Sequence, residues 1–194
     1  MFLSDVDILK AVEKGDITLE PFAKERLQPA SYDILLGNKF VVNDEHATHH
    51  IDPARKIYAK THEIEVADGE EFVLHPGVSV LGISKEFFGS NHYLVQVGGK
   101  SSLARVGLMI HNTAGLINPG HFLHITFELC NLNNVPIVLR PGMEIAQLTF
   151  SMISSVPSSV YKNIERGKDN WANNFKGRDL LPDNDKKEKT KSRK

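Results

Sequence analysis

The chain has one cysteine, one tryptophan and no long apolar run, and these scarcities limit it first. With Cys130 alone, an intramolecular disulfide, a zinc site built on several cysteines, an iron–sulfur cluster and a redox pair are all excluded. No stretch of about 18 consecutive apolar residues exists, which argues against a membrane-spanning helix. Met1-Phe2-Leu3-Ser4-Asp5 lacks the basic region followed by an apolar stretch that marks a secretory leader, so the expected location is cytoplasmic. No fixed-period repeat is visible either.

What is present is ordinary in bulk and uneven in charge. The 194 residues are 41% hydrophobic and 24% charged, a soluble globular composition long enough to bury a core as one domain or two small ones. Net charge is −1, but residues 186–194 hold six basic residues and one acid. The remaining 17 basic and 23 acidic residues leave the body at −6. An acidic body argues against broad nucleic-acid binding, which needs a basic surface.

The chain opens on a helix pattern: Ser4 as cap, Asp7 three residues later, an apolar stripe of Ile8, Leu9 and Val12, and Gly15 as stop. Beyond about residue 28, short apolar runs alternate with turn residues, including Gly37-Asn38, Asp68-Gly69, Pro76-Gly77, Gly98-Gly99, Pro119-Gly120 and Pro141-Gly142. Strand-like pieces lie between them, such as 78–83, 92–97, 106–110, 123–130 and 145–150. This spacing predicts a sandwich, jelly roll or barrel rather than alternating strands and helices. From about Ser154 the apolar pattern thins, and from about Asp183 the chain is polar.

Two features carry chemistry. Gly98-Gly99-Lys100-Ser101-Ser102 offers glycine backbone, one cation and two hydroxyls, a set that suits an anion but also suits a plain turn. The four-residue spacer of a Walker loop is missing. On the strand 123–130, Leu123, Ile125, Phe127 and Leu129 share one face, and His124, Thr126, Glu128 and Cys130 the other. Glu128 is thus an acid in mid-strand, where glutamate is disfavoured. A covered face would suit it to general acid–base work, and an open one would make the strand merely amphipathic.

In register, Gly99-Lys100-Ser101-Ser102-Leu103-Ala104-Arg105-Val106-Gly107-Leu108, Thr113-Ala114-Gly115, Ile117-Asn118-Pro119-Gly120 and Thr126-Phe127-Glu128-Leu129 resemble the dCTP deaminase family, which shares its fold with the trimeric dUTPases. Gln28-Pro29-Ala30-Ser31-Tyr32-Asp33, Leu74-His75-Pro76-Gly77, Arg140-Pro141-Gly142-Met143 and Ala146-Gln147-Leu148 add to it, and the likeness runs over about residues 1–170. The resemblance implies a mainly β, dUTPase-like distorted jelly-roll or β-barrel with a short N-terminal helix, assembled as a homotrimer with intersubunit sites. One domain is expected over 1–175, with a lid region from about 154, and a polar basic tail over 176–194.

The implied reaction is zinc-independent hydrolytic deamination of dCTP to dUTP and ammonia. Glu128 is then the general acid–base, Ser101 and the Ala114 carbonyl hold the water, and Arg105 orients the glutamate. Lys100, Ser102 and Gln147 are implied as phosphate contacts. Asn118, Thr126 and Phe127 are expected at the nucleoside, and Tyr161 and Lys168 on the lid. Mg²⁺ is expected on the triphosphate, with no protein side-chain ligands.

Four departures from the family pattern stand out. Asn118 replaces an aspartate that serves triphosphate hydrolysis in bifunctional relatives, and an amide is no carboxylate base. His121-Phe122-Leu123-His124 replaces a turn with an aromatic first and a glycine third. Lys168-Asp169-Asn170-Trp171-Ala172 lacks the lid glutamine, and the glycine-rich C-terminal motif of dUTPases is missing. Two alternatives stay open: a bifunctional enzyme giving dUMP, against which Asn118 weighs, and a non-catalytic nucleotide-binding regulator, which the altered 121–124 turn and lid support. His46, His49 and His50 sit in a polar loop without the spacing of a metal site.

Overall fold

A computed structural model of the chain describes residues 1–44 and 47–159. Its first element is α1 (Asp5–Glu13), where Ser4 Oγ accepts from the Asp7 N–H and Asp5 and Asp7 sit at the positive end of the helix dipole. Gly15, at φ +77°, closes it. Ile8 and Ala11 are its buried residues, while Leu9 is only half-covered.

Twelve strands follow: β1 (Ile17–Glu20), β2 (Leu27–Gln28), β3 (Ser31–Asn43), β4 (Thr61–Glu65), β5 (Phe72–Leu74), β6 (Ser79–Ser90), β7 (Tyr93–Gly99), β8 (Leu108–Met109), β9 (Leu116–Ile117), β10 (Leu123–Asn131), β11 (Ile137–Leu139) and β12 (Glu144–Met152). A short helix α2 (Ser101–Arg105) lies between β7 and β8. Ten strands form one sheet along the path β8-β10-β6-β3-β12-β7-β9, with β1 on β6 and β2 and β4 on β3; β5 and β11 pair separately. All pairings are antiparallel, as expected for a fold without crossover helices.

The sheet curls because its two long strands change partners along their length. β3 pairs β12 through Tyr32–Leu35, then β4 through Lys39–Asn43. Tyr32, Phe40, Phe88, Phe127 and Phe150 fill the enclosed core, and the Phe40 and Phe72 rings stack at 4.3 Å.

Some expected turns are strands. Gly37 lies inside β3, where a Cβ would come within 2.9 Å of the Ile83 carbonyl oxygen, so glycine serves close backbone approach there. Gly98 and Gly99 end β7 in register with Gln147 and Ala146. The piece expected over 106–110 shrinks to β8, preceded by α2. Within the described residues no helix is long and apolar enough to cross a membrane.

Candidate active site

Between β7 and β9 the chain makes one excursion and returns to the strand it left. From Gly99 it passes through Lys100, the N-cap of α2, then turns at Gly107 (φ +84°) into β8. β8 pairs with the end of β10, Met109 opposite Cys130. The excursion closes where the Gly115 carbonyl accepts from the Val97 N–H at 2.8 Å and Ile117 pairs with Val95. One segment therefore ties β10, near one end of the sheet path, to β7, near the other.

Glu128 sits where that segment crosses β10. Its neighbours Phe127 and Leu129 are wholly buried, while His124, Thr126, Glu128 and Cys130 are half-covered, so the strand has the two faces expected from alternation. The Asn112 N–H donates to Glu128 Oε2 at 3.2 Å, which points the carboxylate toward the 110–115 stretch containing Ala114. His111 precedes Asn112; its Nδ1 is buried without a partner among the described residues, and its ring packs where a Gly115 Cβ would stand. No signal in the sequence marks Asn112, because only the β8–β10 pairing brings its N–H to the glutamate.

The second group of expected residues gathers where β7, β12 and β3 lie side by side. Lys100 Nζ contacts Asp33 Oδ2 at 2.7 Å and Glu144 Oε2 at 2.6 Å, and Gln28 donates to the same Asp33 oxygen at 3.1 Å. Burial pulls the Lys100 pKa down, but the two carboxylates together outweigh it and hold the ammonium above its ordinary value. Gln147 accepts from Ser31 Oγ at 3.2 Å and donates to the Gly99 carbonyl at 3.4 Å. Gln147 thus reaches the residue that precedes Lys100. One ammonium between two carboxylates nevertheless leaves a local charge of −1, so an anion must displace an acid from Lys100 or bring cations of its own.

The remaining residues divide by exposure. Ser101, Ser102 and Arg105 on α2, together with Ala114 and Asn118, are exposed, and no side chain among the first three bonds to a described residue. Phe127 corrects its expectation: its side chain is wholly in the core, so only its backbone is available to a ligand. Of the departing segment 121–124, Leu123 and His124 lie in β10, while His121 before it is half-buried, and burial holds its pKa below the usual histidine value. Tyr161, Lys168, Trp171 and the tail at 176–194 lie outside the described residues, as does His46. Among the described residues no cluster of histidine, cysteine or acids is arranged to hold a metal.

On the curled antiparallel sheet a carboxylate stands on a half-covered strand, and the segment that leaves β7 and pairs with the end of that strand carries a lysine, two serines and an arginine. The family model described as dCTP deaminase-like matches residues 2–153, and the chain belongs to that family. It is 45% identical over 162 residues to a dUMP-forming dCTP deaminase of Corynebacterium efficiens, covering 83% of this chain and 84% of the relative. It is 46% identical to a dUMP-forming dCTP deaminase of Tropheryma whipplei, covering 83% of each. Among solved structures, the dCTP deaminase of Agrobacterium tumefaciens shares the fold at TM-score 0.59 and 22% identity, over 78% of this chain and 48% of that longer one.

Proposed function

We propose that this protein hydrolytically deaminates dCTP and carries the product on to dUMP and pyrophosphate. The reading rests on Glu128, held by the Asn112 N–H beside the Ala114 segment, in a chain 45% identical to a dUMP-forming relative. That relative's product favours dUMP as the end point over the dUTP expected from the residues alone.

In this reading, water sits between Glu128, Ser101 and the Ala114 carbonyl. Glu128 takes a proton from the water as its oxygen attacks C4 of cytosine and gives it to N3. It then takes the proton of the new C4 hydroxyl and gives it to the amino group, which leaves as ammonia while C4=O forms. Arg105 lies one helical turn from Ser101, so α2 presents both from one side, and its fixed charge orients and balances the glutamate. Lys100, Ser102 and Gln147 take the phosphates; Lys100 exchanges an acid partner for a phosphate oxygen. Thr126 and the Phe127 backbone hold the base, and Asn118 the sugar hydroxyl. Tyr161 and Lys168 complete the nucleotide contacts.

Mg²⁺ carried by the triphosphate would supply charge neutralisation. Its ligands would be phosphate oxygens and water. A homotrimer with intersubunit sites fits the exposed Ser101, Ser102 and Arg105 side chains, which have no partner among the described residues, and light scattering of the purified protein reads the assembly directly.

One observation favours a second reading. Asn118 is exposed and carries an amide where hydrolysis of the triphosphate calls for a carboxylate, so the enzyme would stop at dUTP. Incubation with dCTP and Mg²⁺, with products separated, decides. Ammonia with dUMP and pyrophosphate supports the proposal, and ammonia with dUTP supports the second reading. Tight binding without ammonia sinks both and selects the non-catalytic regulator.

A further inference from the structure

We infer that Ser84, backed by the buried Arg26–Glu86 pair, is a positioning residue that sets the register of the strand carrying Glu128. What that strand does rests on the deaminase reading above; how it is held rests on geometry alone. β6 and β10 keep one register from Cys130 opposite Ser79 to Thr126 opposite Ile83, and a different one at His124 opposite Phe87 and Leu123 opposite Phe88. Ser84, Lys85 and Glu86 therefore face Ile125 alone, a bulge that inserts two extra residues into β6. β3 changes register against the same stretch, between Leu36 opposite Ser84 and Phe40 opposite Gly82.

A bulge that interrupts two ladders would leave backbone groups unpaired in the interior. Ser84 answers two of them. Its Oγ accepts from the Ile125 N–H at 2.8 Å and donates to the Glu86 carbonyl at 2.7 Å. The His124 ring donates through Nδ1 to the Ser84 carbonyl at 3.2 Å, the tautomer that a carbonyl acceptor requires. Behind the bulge, Glu86 is wholly buried; Oε2 accepts from the Leu35 N–H at 2.9 Å, and Oε1 is bound by Arg26. Arg26 also donates to the Pro21 carbonyl at 2.9 Å and lies 5.0 Å over the Tyr32 ring.

Thr126 follows Ile125 directly on β10, and Glu128 stands two positions beyond it. Because side chains alternate along a strand, a one-residue slip there would turn both into the core and bring Phe127 out. Ser84 pins the last ladder group before them, and the Arg26–Glu86 pair keeps the bulge from flattening.

The test compares Ser84→Ala with Ser84→Thr, which keeps the hydroxyl, in the full chain. Ile8→Val, on the buried face of α1, is the control for general loss of stability. We expect Ser84→Ala to lower kcat for deamination by about 10- to 100-fold, as misplacement of a reacting group does, with a much smaller change in KM. Amide hydrogen exchange at Ile125, Thr126 and Glu128 should rise relative to β12. Ser84→Thr should recover both readouts, and Ile8→Val should change neither. A Ser84→Ala protein with lowered Tm but unchanged kcat and unchanged β10 exchange overturns the inference. If the wild type releases no ammonia from dCTP, the deaminase reading fails by itself, and the exchange contrast between the two Ser84 variants still decides the register.

Discussion

Glu86 and Glu128 stand on neighbouring paired strands, and their surroundings give them opposite jobs. Glu86 has no exposed surface, and both of its oxygens are occupied, by a guanidinium and a backbone N–H. Glu128 is half-covered, with one backbone N–H as its only partner among the described residues. A carboxylate with both oxygens engaged in the dry interior, one of them by a buried cation, does not readily exchange partners, so it holds architecture. One with free acceptor capacity beside an accessible loop can receive a proton and release it.

The largest expected effects test that contrast directly. Glu128→Gln should lower deamination by about 10²- to 10⁴-fold, the range for loss of a general acid–base group, while thermal unfolding stays near wild type. Glu86→Gln should do the reverse at the level of stability. Leaving Arg26 buried beside an amide costs about 3–5 kcal/mol by denaturant titration. A Glu86→Gln protein as stable as wild type would erase the distinction between the two residues.

A smaller effect is expected at Lys100. Glu144 is about half-exposed and holds the ammonium without being shielded from water. Glu144→Gln should leave stability within about 0.5 kcal/mol, as for most surface changes, and lower the KM for dCTP by freeing Lys100 for phosphate. An unchanged KM would mean that Lys100 does not exchange Glu144 for substrate. The smallest effect is the pH response of His121. Burial disfavours its charged form, so the unfolded chain binds more protons at this residue than the folded one. Its contribution to stability is therefore full above the ordinary histidine value and is lost as pH falls below it. The fall in Tm on acidification should be shallower in His121→Gln than in wild type.

Much of this was legible in the residues. Ser4, Asp7 and Gly15 bracket α1 because a cap, a first-turn acid and a positive-φ stop are local signals. The two faces of β10 follow from strict alternation between Leu123 and Cys130. Other parts escaped for identifiable reasons. α2 has five residues, too few for a helical period to declare itself. Gly37 and Gly98 read as turns because glycine signals conformational freedom and close approach with the same letter. Phe127 was assigned to substrate although its own alternation placed it with the core.

Long-range partners are the clearest case. Asp33 and Glu144 meet Lys100 only because β12 pairs both β3 and β7. Arg26 carried no signal in the sequence, yet it neutralises the wholly buried Glu86, sixty positions away. The sequence by itself determined the strand-rich class, the face on which Glu128 lies, the lysine–serine–arginine loop and the family to which they belong. These are matters of local order, alternation and spacing. Tertiary structure alone decided which acids hold Lys100, which N–H meets Glu128, and where β6 bulges to set the strand beside it. Those depend on pairing between segments far apart in the chain, and no local pattern encodes a partner's position.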